Sequence, residues 1–293
     1  MTILQNLNQR KKMNSMRKEE EQVLRFSRLN RGLHIVMIIS FISLSLTGMT
    51  LKFSYTSWAA ALSHFFGGFE AAGSIHRFAA SVMVIVFITH IVDITRIKRK
   101  EIGSWKEMIF GKGSMMFNRK DWEDFTGSMK WFLGKGERPE YGRWTYWEKF
   151  DYFAVFWGVF VIGSTGFMLW FPEFFTRFVP GWVINVATII HSDEALLATG
   201  FIFTVHFFNT HLRPEKFPMD IVIFTGRMPL EEFKIDRPQE YNELLEKGEL
   251  ENYLVEAYPP IVTRTIKIFG WTALSLGFFI VIWIIYAMIF SYR

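Results

Sequence analysis

Five mostly apolar stretches alternate with polar segments along this chain. They lie near 33–53, 75–94, 150–171, 183–208 and 268–290. An α-helix needs about 20 consecutive apolar residues to cross the hydrocarbon core of a bilayer, and each stretch is long enough. The pattern therefore predicts an all-α integral membrane protein with five transmembrane helices, in which the first four form a bundle and the fifth is additional.

The polar segments divide the rest of the chain. The pattern predicts a basic arm over 1–32, a four-helix bundle over 33–211 with a connecting loop at 95–149, an acidic segment over 212–267 and a fifth transmembrane helix over 268–290. No small-residue cleavage site follows the first apolar stretch, so we expect it to remain as an uncleaved anchor. Two short amphipathic helices are expected between the spans, one around Trp122–Leu133 at the membrane surface and one over Pro238–Lys247.

Lysine and arginine are distributed unevenly among these segments. Of the 33 such residues, eight lie in 1–32, thirteen in 96–149 and eight in 212–267, so 29 share one side if the chain crosses the membrane five times. Because positively charged loops stay in the cytoplasm, we expect a cytoplasmic N-terminus and a C-terminus on the opposite, outer side of the membrane. The net charge of +5 therefore reflects topology. The basic residues gather at span ends and do not form the stripe typical of nucleic acid binding.

The chain contains no cysteine. Disulfide bonds, thiolate-ligated iron–sulfur clusters and the covalent CxxCH attachment of c-type haem are therefore excluded. Any haem in this protein must be bound without a covalent link, through histidine or methionine.

Histidine is the residue type that interrupts the apolar pattern. Six of the seven histidines lie in or at the ends of the predicted spans. The topology places His76 and His191 at the outer face and His34, His90, His206 and His211 at the inner face, while His64 lies in an outer loop. On α-helices, His76 and His90 are about 21 Å apart along the axis, and His191 and His206 are about 22 Å apart.

Two levels of histidine favour haem as the ligand. An unpaired imidazole in hydrocarbon is unfavourable, whereas two neutral imidazoles facing each other across a helix bundle form a bis-histidine haem site. The outer pair predicts one haem, and the inner four histidines predict one or two. A zinc site would need three or four ligands at one depth. A proton or ion transporter, the alternative function, would need titratable groups between the two levels.

Short motifs recur in a fixed order along the chain. They are R-x-x-R-x-x-H ending at His34, I-H-R at 75–77, G-x-x-x-W-F at 166–171, H-S-x-E-A beginning at His191 and V-H at 205–206. Over about 31–220 the chain thereby resembles the b-type cytochrome subunits of bacterial formate dehydrogenases, nickel–iron hydrogenases and related quinone-coupled complexes. The resemblance implies that His76 and His191 ligate an outer haem b, and that His34 and His206 ligate an inner haem b.

Three features differ from the best-characterised members of that family. His90 resembles the lower second-helix ligand in the cytochrome b of quinol–cytochrome c reductases, so it is a candidate to replace or supplement His34. The F-N-T-H-L-R-P-E run at 208–215 and the acidic segment resemble a subgroup found beside multihaem c-type cytochromes, and His211 is a candidate ligand of a third haem. The fifth span is additional to the four-helix core.

Polar residues near the histidines suggest further roles. Arg31, Arg77 and Arg213 are candidates for pairing with haem propionates, with ordinary interfacial charge as an equal alternative. The resemblance implies that a quinone, menaquinone or ubiquinone, is handled near the inner haem. A quinone pocket needs polar groups at a membrane edge; the inner candidates are Asn209, His211, Arg213, Glu215 and Asp93, and the outer ones are Asp193 and Glu194.

The expected function is that of an electron-transfer subunit in a hetero-oligomeric respiratory oxidoreductase complex. It would pass electrons across the inner membrane between the quinone pool and a periplasmic redox partner. The chain shows no motif for an organic substrate, so the expected partner is another subunit: a multihaem c-type cytochrome, an iron–sulfur subunit or a dehydrogenase.

Overall fold

The computed structural model describes residues 21–213, 216–217 and 219–290. Five of its helices are long and apolar enough to cross a membrane: Arg28–Lys52, Phe69–Ile102, Tyr146–Trp170, Trp182–Leu212 and Pro260–Phe290. Each predicted window overlaps one of them, so the prediction of five helices long and apolar enough to span is confirmed. Residues 1–20 of the predicted basic arm, and Glu215 among the quinone candidates, lie outside the described residues.

The α-helices of the described chain are numbered in order. They are α1 (Arg28–Lys52), α2 (Ser57–Phe66), α3 (Phe69–Ile97), α4 (Trp105–Phe110), α5 (Arg119–Phe132), α6 (Tyr146–Trp170), α7 (Pro172–Phe175), α8 (Trp182–Phe201), α9 (Val222–Thr225), α10 (Leu230–Asp236), α11 (Pro238–Glu246) and α12 (Pro260–Phe290). A 3₁₀ turn covers Leu250–Tyr253. The second span continues from α3 through a π-helical turn at Lys98–Ile102, and the fourth continues from α8 through π-helical turns at Ile202–His206 and Phe208–Leu212.

The chain forms two compact units. Of the described residues, the sheet unit contains 21–31, Ile97–Phe150 and Ile221–Ile266. The helical unit contains the described residues of 32–96, 151–220 and 267–290. Sequence analysis separated the arm, the connecting loop and the acidic segment, whereas the structure combines parts of all three in one unit.

A three-stranded antiparallel sheet lies in the sheet unit. Its central strand β1 (Glu21–Leu24) pairs with β2 (Arg227–Pro229) on one side and with β3 (Leu254–Glu256) on the other. Buried Val23, Met228 and Phe233 form part of its core. The sequence did not predict this sheet, because strands of three or four residues are too short to show an alternating pattern.

Helix α11 packs against the same core. It covers Pro238–Glu246, which confirms the short helix expected over Pro238–Lys247. Tyr241 and Leu244 contact the core, as their shared face predicts, whereas Leu245 remains half-exposed. The acidic segment is therefore folded onto the sheet at this point.

Charged side chains are buried beside this core. Arg25, only 5% exposed, donates to Glu240 and to the carbonyl oxygen of Arg143. Arg143 donates to the other oxygen of Glu240 at 2.9 Å. Burial lowers the pKa of Arg25 to about 10, against the opposing effect of Glu240, so the guanidinium stays protonated at neutral pH. The last part of the predicted arm is thus held in a folded unit by an ion pair.

Replacing Arg25 with methionine is expected to destabilise the sheet unit by about 3 kcal/mol, because a buried carboxylate loses one of its two cationic partners. Native-state amide hydrogen exchange at Val23 and Met228 would report the loss as faster local opening. Arg119→Met is the matched control, since Arg119 pairs with Glu123 on an exposed helix face and such pairs contribute less than about 1 kcal/mol. Equal effects of the two substitutions would contradict a stabilising role for the buried pair.

The fifth span packs against the first and fourth spans within the helical unit. At one end, Ala287 is fully buried in a cluster with Met49 and Phe53. Further along α12, a Cβ added at Gly277 would lie 2.4 Å from Phe203 Cδ1, which shows how closely the fourth span approaches at that point. The additional span is therefore a packed part of the helical unit.

Candidate functional site

His76 and His191 lie together in the helical unit. Their ring centroids are 6.2 Å apart and their ring planes are inclined by 74°. Two metal–imidazole bonds of about 2 Å each, together with about 1 Å from each bonded nitrogen to its ring centre, add up to about 6 Å. The spacing of this pair therefore fits two imidazoles that share one iron.

The hydrogen bonds of His76 assign its tautomer. Its Nδ1 lies 2.9 Å from Thr47 Oγ1, whose own hydrogen is donated to the carbonyl oxygen of Ser43 at 2.7 Å. Thr47 is therefore the acceptor and His76 Nδ1 carries the proton. This leaves Nε2 with its lone pair, which is the form of histidine that ligates a metal.

His191 is oriented in the same way by the third span. Its Nδ1 lies 2.9 Å from the carbonyl oxygen of Ile162, which only accepts, so Nδ1 is again the donor. Gly166 makes this contact possible, because a Cβ at that position would lie 2.8 Å from His191 Cε1. Sequence analysis singled out Gly166 as part of the G-x-x-x-W-F motif, and its structural role is to admit this ring.

Replacing Gly166 with alanine is expected to displace His191 and to lower the haem content of the purified protein by up to one haem per chain. The ring must move by several tenths of an ångström to relieve the contact, which breaks its bond to Ile162. Gly163→Ala is the matched control on the same helix, because nothing lies within 4 Å of a Cβ added there. Haem quantitation per chain measures the effect of both substitutions. An unchanged haem content in Gly166→Ala would contradict a role of Gly166 in positioning His191.

His206 has a carboxylate partner. Its Nδ1 lies 2.9 Å from Oδ2 of Asp151, a buried residue near the beginning of α6. An ionised carboxylate only accepts, so His206 donates from Nδ1 and keeps Nε2 for a ligand. The third span thus contains no histidine, yet it orients both predicted ligands of the fourth span.

The fourth span is not a regular α-helix around His206 and His211. Both residues lie in π-helical turns, which close through hydrogen bonds between residues five apart. On an α-helix, a separation of five residues would place the two side chains about 140° apart. The wider winding brings them toward one face of the helix, and π-helical turns are frequent at functional sites.

His34 and His211 complete this inner group. His34 interacts electrostatically with both His206 and His211. His211 is buried, and its Nδ1 has no hydrogen-bond partner among the described residues. Three of the four histidines predicted at the inner face therefore come together.

His90 lies in a different environment. Its Nε2 is 2.9 Å from the hydroxyl oxygen of Tyr152, and the two ring centroids are 5.7 Å apart. Asp93 lies one turn further along the second span and interacts electrostatically with His90. Nε2, the nitrogen that His76, His191 and His206 leave available, is in this case bonded to a tyrosine.

The other residues predicted for the site are spread over the two units. Arg31 donates to the backbone carbonyls of Phe224 and Thr225 in the sheet unit. Arg77 is exposed and lies 3.4 Å from Ser74 Oγ. Asn209 is half-buried on the second π-helical turn of the fourth span, and Arg213 follows that turn.

The outer candidates for a quinone pocket have protein partners. Asp193 accepts from Lys52 at 2.8 Å, and Glu194 accepts from the indole nitrogen of Trp157 at 2.8 Å. Both contacts join the fourth span to a neighbouring span of the helical unit.

Sequence reasoning missed the residues that orient the histidines. Asp151 is the clearest case, since it is an acidic residue at the beginning of a span and at the predicted depth of His206. That combination was available in the sequence. Thr47 and the carbonyl of Ile162 give no such signal, because hydroxyl groups and backbone carbonyls occur throughout the spans.

Among the residues that the structure describes, no group of three or more His, Asp or Glu side chains is arranged to hold a metal ion. The outer pair, His76 and His191, suits an iron whose other four ligands come from a macrocycle.

One family model matches part of the chain. Residues 4–111 match the family model of prokaryotic cytochrome b561, the hydrogenase and cytochrome b family. The match includes His34, His76 and His90 and ends before the third span. No curated protein matches the chain. The match is consistent with binding of haem b, and together with the five apolar helices it is consistent with a multi-pass bacterial membrane protein.

Residues 4–111 of the 293 therefore carry the pattern of the prokaryotic cytochrome b561 family, and the resemblance to b-type cytochrome subunits is confirmed.

Proposed function

We propose that this chain is the membrane cytochrome b subunit of a respiratory complex in the bacterial inner membrane. It would transfer electrons across that membrane between the quinone pool and a periplasmic redox subunit. The observation that carries the proposal is the outer histidine pair, with ring centroids 6.2 Å apart and both Nδ1 atoms bonded to protein acceptors. Haem b, when bound, supplies the one-electron couple.

His76 and His191 would hold the outer haem through their Nε2 atoms. Orientation by protein acceptors supports this assignment, because histidines that ligate metals almost always donate their other ring nitrogen to a carbonyl, a carboxylate or water. Thr47 and Ile162 provide these acceptors here. Both acceptors are uncharged.

His206 and His34 would hold the inner haem. The Asp151 contact leaves His206 in the ligating tautomer, and the family resemblance assigns its partner to His34. His211 lies near both and is buried with an unbonded nitrogen, so it is the candidate for a third haem or for a quinone contact. His90 is left out of the ligand set, because its Nε2 is bonded to Tyr152.

Quinone would bind at the inner level. Reduction of a quinone consumes protons as well as electrons, so its site needs polar side chains at a membrane edge. Asn209, His211, Arg213 and Asp93 are the described candidates in the helical unit, and Glu215 joins them from the sequence. The His90–Tyr152 pair beside Asp93 adds a hydroxyl group and an imidazole at that edge.

The proposal is tested with the purified full chain in two steps. A dithionite-reduced minus oxidised spectrum should show a b-type haem signal, and pyridine haemochrome quantitation should give two or three haems per chain. Adding a menaquinol or ubiquinol analogue under anaerobic conditions should then reduce that haem. A protein without reducible haem would reject the cytochrome function, whereas haem that no quinol reduces would reject only the quinone.

A further inference from the structure

Helix α5 presents its apolar side to the outside of the protein. Five large apolar residues on and next to this helix are exposed: Trp122, Phe125, Met129, Phe132 and Leu133. They recur at intervals of three and four residues, so they form one stripe along the helix. We call this stripe the α5 apolar face. Phe132 and Leu133 are the most exposed of the group, at 68% and 69%.

The polar side of the same helix is buried. Asp121 accepts from Lys149 at 2.9 Å and caps the helix by accepting from the backbone N–H of Asn118. Buried Ser128 lies 2.8 Å from the hydroxyl oxygen of Tyr141. Burial raises the pKa of the Asp124 carboxyl, which lies on this side and accepts from Lys120.

This arrangement is the reverse of that in a water-soluble protein. A surface helix there places its apolar stripe on the core and its polar side in water. Here the hydrogen bonds and ion pairs fix the polar side inward, so the helix cannot rotate to hide the apolar face without breaking them. The exposed face therefore requires an apolar or interfacial environment.

The surroundings of α5 identify that environment as a lipid surface. The segment 96–149 joins the second span to the third, so both of its ends emerge at the same face of the bilayer. It carries thirteen Lys and Arg residues against eight Asp and Glu residues, which favours anionic headgroups. Trp105 and Phe110 of the preceding helix are also exposed, and tryptophan is enriched at membrane interfaces.

We propose that the α5 apolar face binds the headgroup region of an anionic bilayer, on the side where the second span ends and the third begins. The α5 helix would lie in the plane of the interface, with Phe132 and Leu133 among the acyl chains. Lys130, exposed beside the stripe, would contact lipid phosphate. The sheet unit would thus be attached to the membrane by a surface helix as well as by the spans.

The absence of cysteine makes a site-directed labelling test direct. Phe132→Cys carries a nitroxide label on the apolar face, and Glu123→Cys carries it on the exposed polar flank of the same helix. Each full-length variant is reconstituted into vesicles of phosphatidylethanolamine and phosphatidylglycerol. Power-saturation electron paramagnetic resonance then compares collisions of the label with oxygen, which concentrates in lipid, and with a water-soluble nickel chelate.

At position 132 we expect several-fold fewer collisions with nickel than at position 123, and more with oxygen. The protection at position 132 should weaken in vesicles of phosphatidylcholine alone, which lack anionic headgroups. Equal exposure to nickel at both positions would overturn the proposal. Protection that disappears as the protein is diluted with excess lipid would also overturn it, because it would assign the face to a second copy of the chain.

Discussion

Replacing His191 with alanine is expected to remove one haem per chain. The outer haem would lose one of its two protein ligands, and the span around position 191 offers no second imidazole at that depth. Pyridine haemochrome quantitation against protein concentration measures the change directly. Imidazole added to the growth medium or to the purified protein should restore part of the content, because it fills the space left by the ring.

His64→Ala is the control for this experiment. His64 is exposed on α2 and lies outside the predicted spans, so its removal should leave the haem content unchanged. A His191→Ala protein with full haem content would show that the outer pair does not bind haem. An equal loss in both variants would point to general instability of the protein.

Replacing Asp151 with asparagine is expected to raise the midpoint potential of the inner haem while the haem content stays unchanged. The asparagine oxygen can still accept from His206 Nδ1, but it carries no charge. A carboxylate partner makes the imidazole a stronger donor and stabilises ferric iron. A tenfold change in the ratio of ferric to ferrous affinity corresponds to about 59 mV, so an increase of about 60–120 mV is expected. Potentiometric titration followed at the haem absorption bands measures it.

Asp193→Asn is the matched control for the charge. Asp193 is also an acidic residue of the fourth span, but it pairs with Lys52 and its side chain is half-exposed. Its substitution should leave the midpoint potential of the inner haem unchanged. A shift of the same size in both variants would show that the potential responds to overall charge, and that the hydrogen bond between Asp151 and His206 has no specific role.

These contacts predict different midpoint potentials for the haems at the two histidine levels. The outer histidines donate to a hydroxyl and a backbone carbonyl, both neutral, while His206 donates to a carboxylate. The inner haem would therefore have a lower potential than uncharged acceptors would give it. Asp151 is a positioning residue in this account, because it acts through His206.

The membrane character of the chain could be predicted from the sequence, because length and apolar composition alone decide whether a helix can cross a bilayer. The spacing of the histidines along each helix could also be predicted, since the rise per residue of a helix is constant. The sequence therefore pairs His76 with His191, and the structure brings their rings together. The short helix at Pro238–Glu246 followed from its local pattern in the same way.

The angular position of the inner histidines could not be predicted. An α-helical period was assumed along the fourth span, but the π-helical turns at 202–206 and 208–212 change the direction of every side chain that follows. No residue type specifies such a turn, because packing of neighbouring helices decides it. Phe203, which lies in the first of these turns, is packed against Gly277 of the fifth span.

The sequence by itself determined that this protein has five apolar helices, contains no cysteine to ligate a metal and carries histidines at two levels along those helices. These properties depend on composition and on distance along a single helix. Only the tertiary structure decided which acceptors orient His76, His191 and His206, that Tyr152 bonds His90, and that α5 turns its apolar face outward. The physical reason is that a hydrogen bond of 2.9 Å depends on the relative rotation of two helices, which side-chain packing fixes and a one-dimensional pattern does not record.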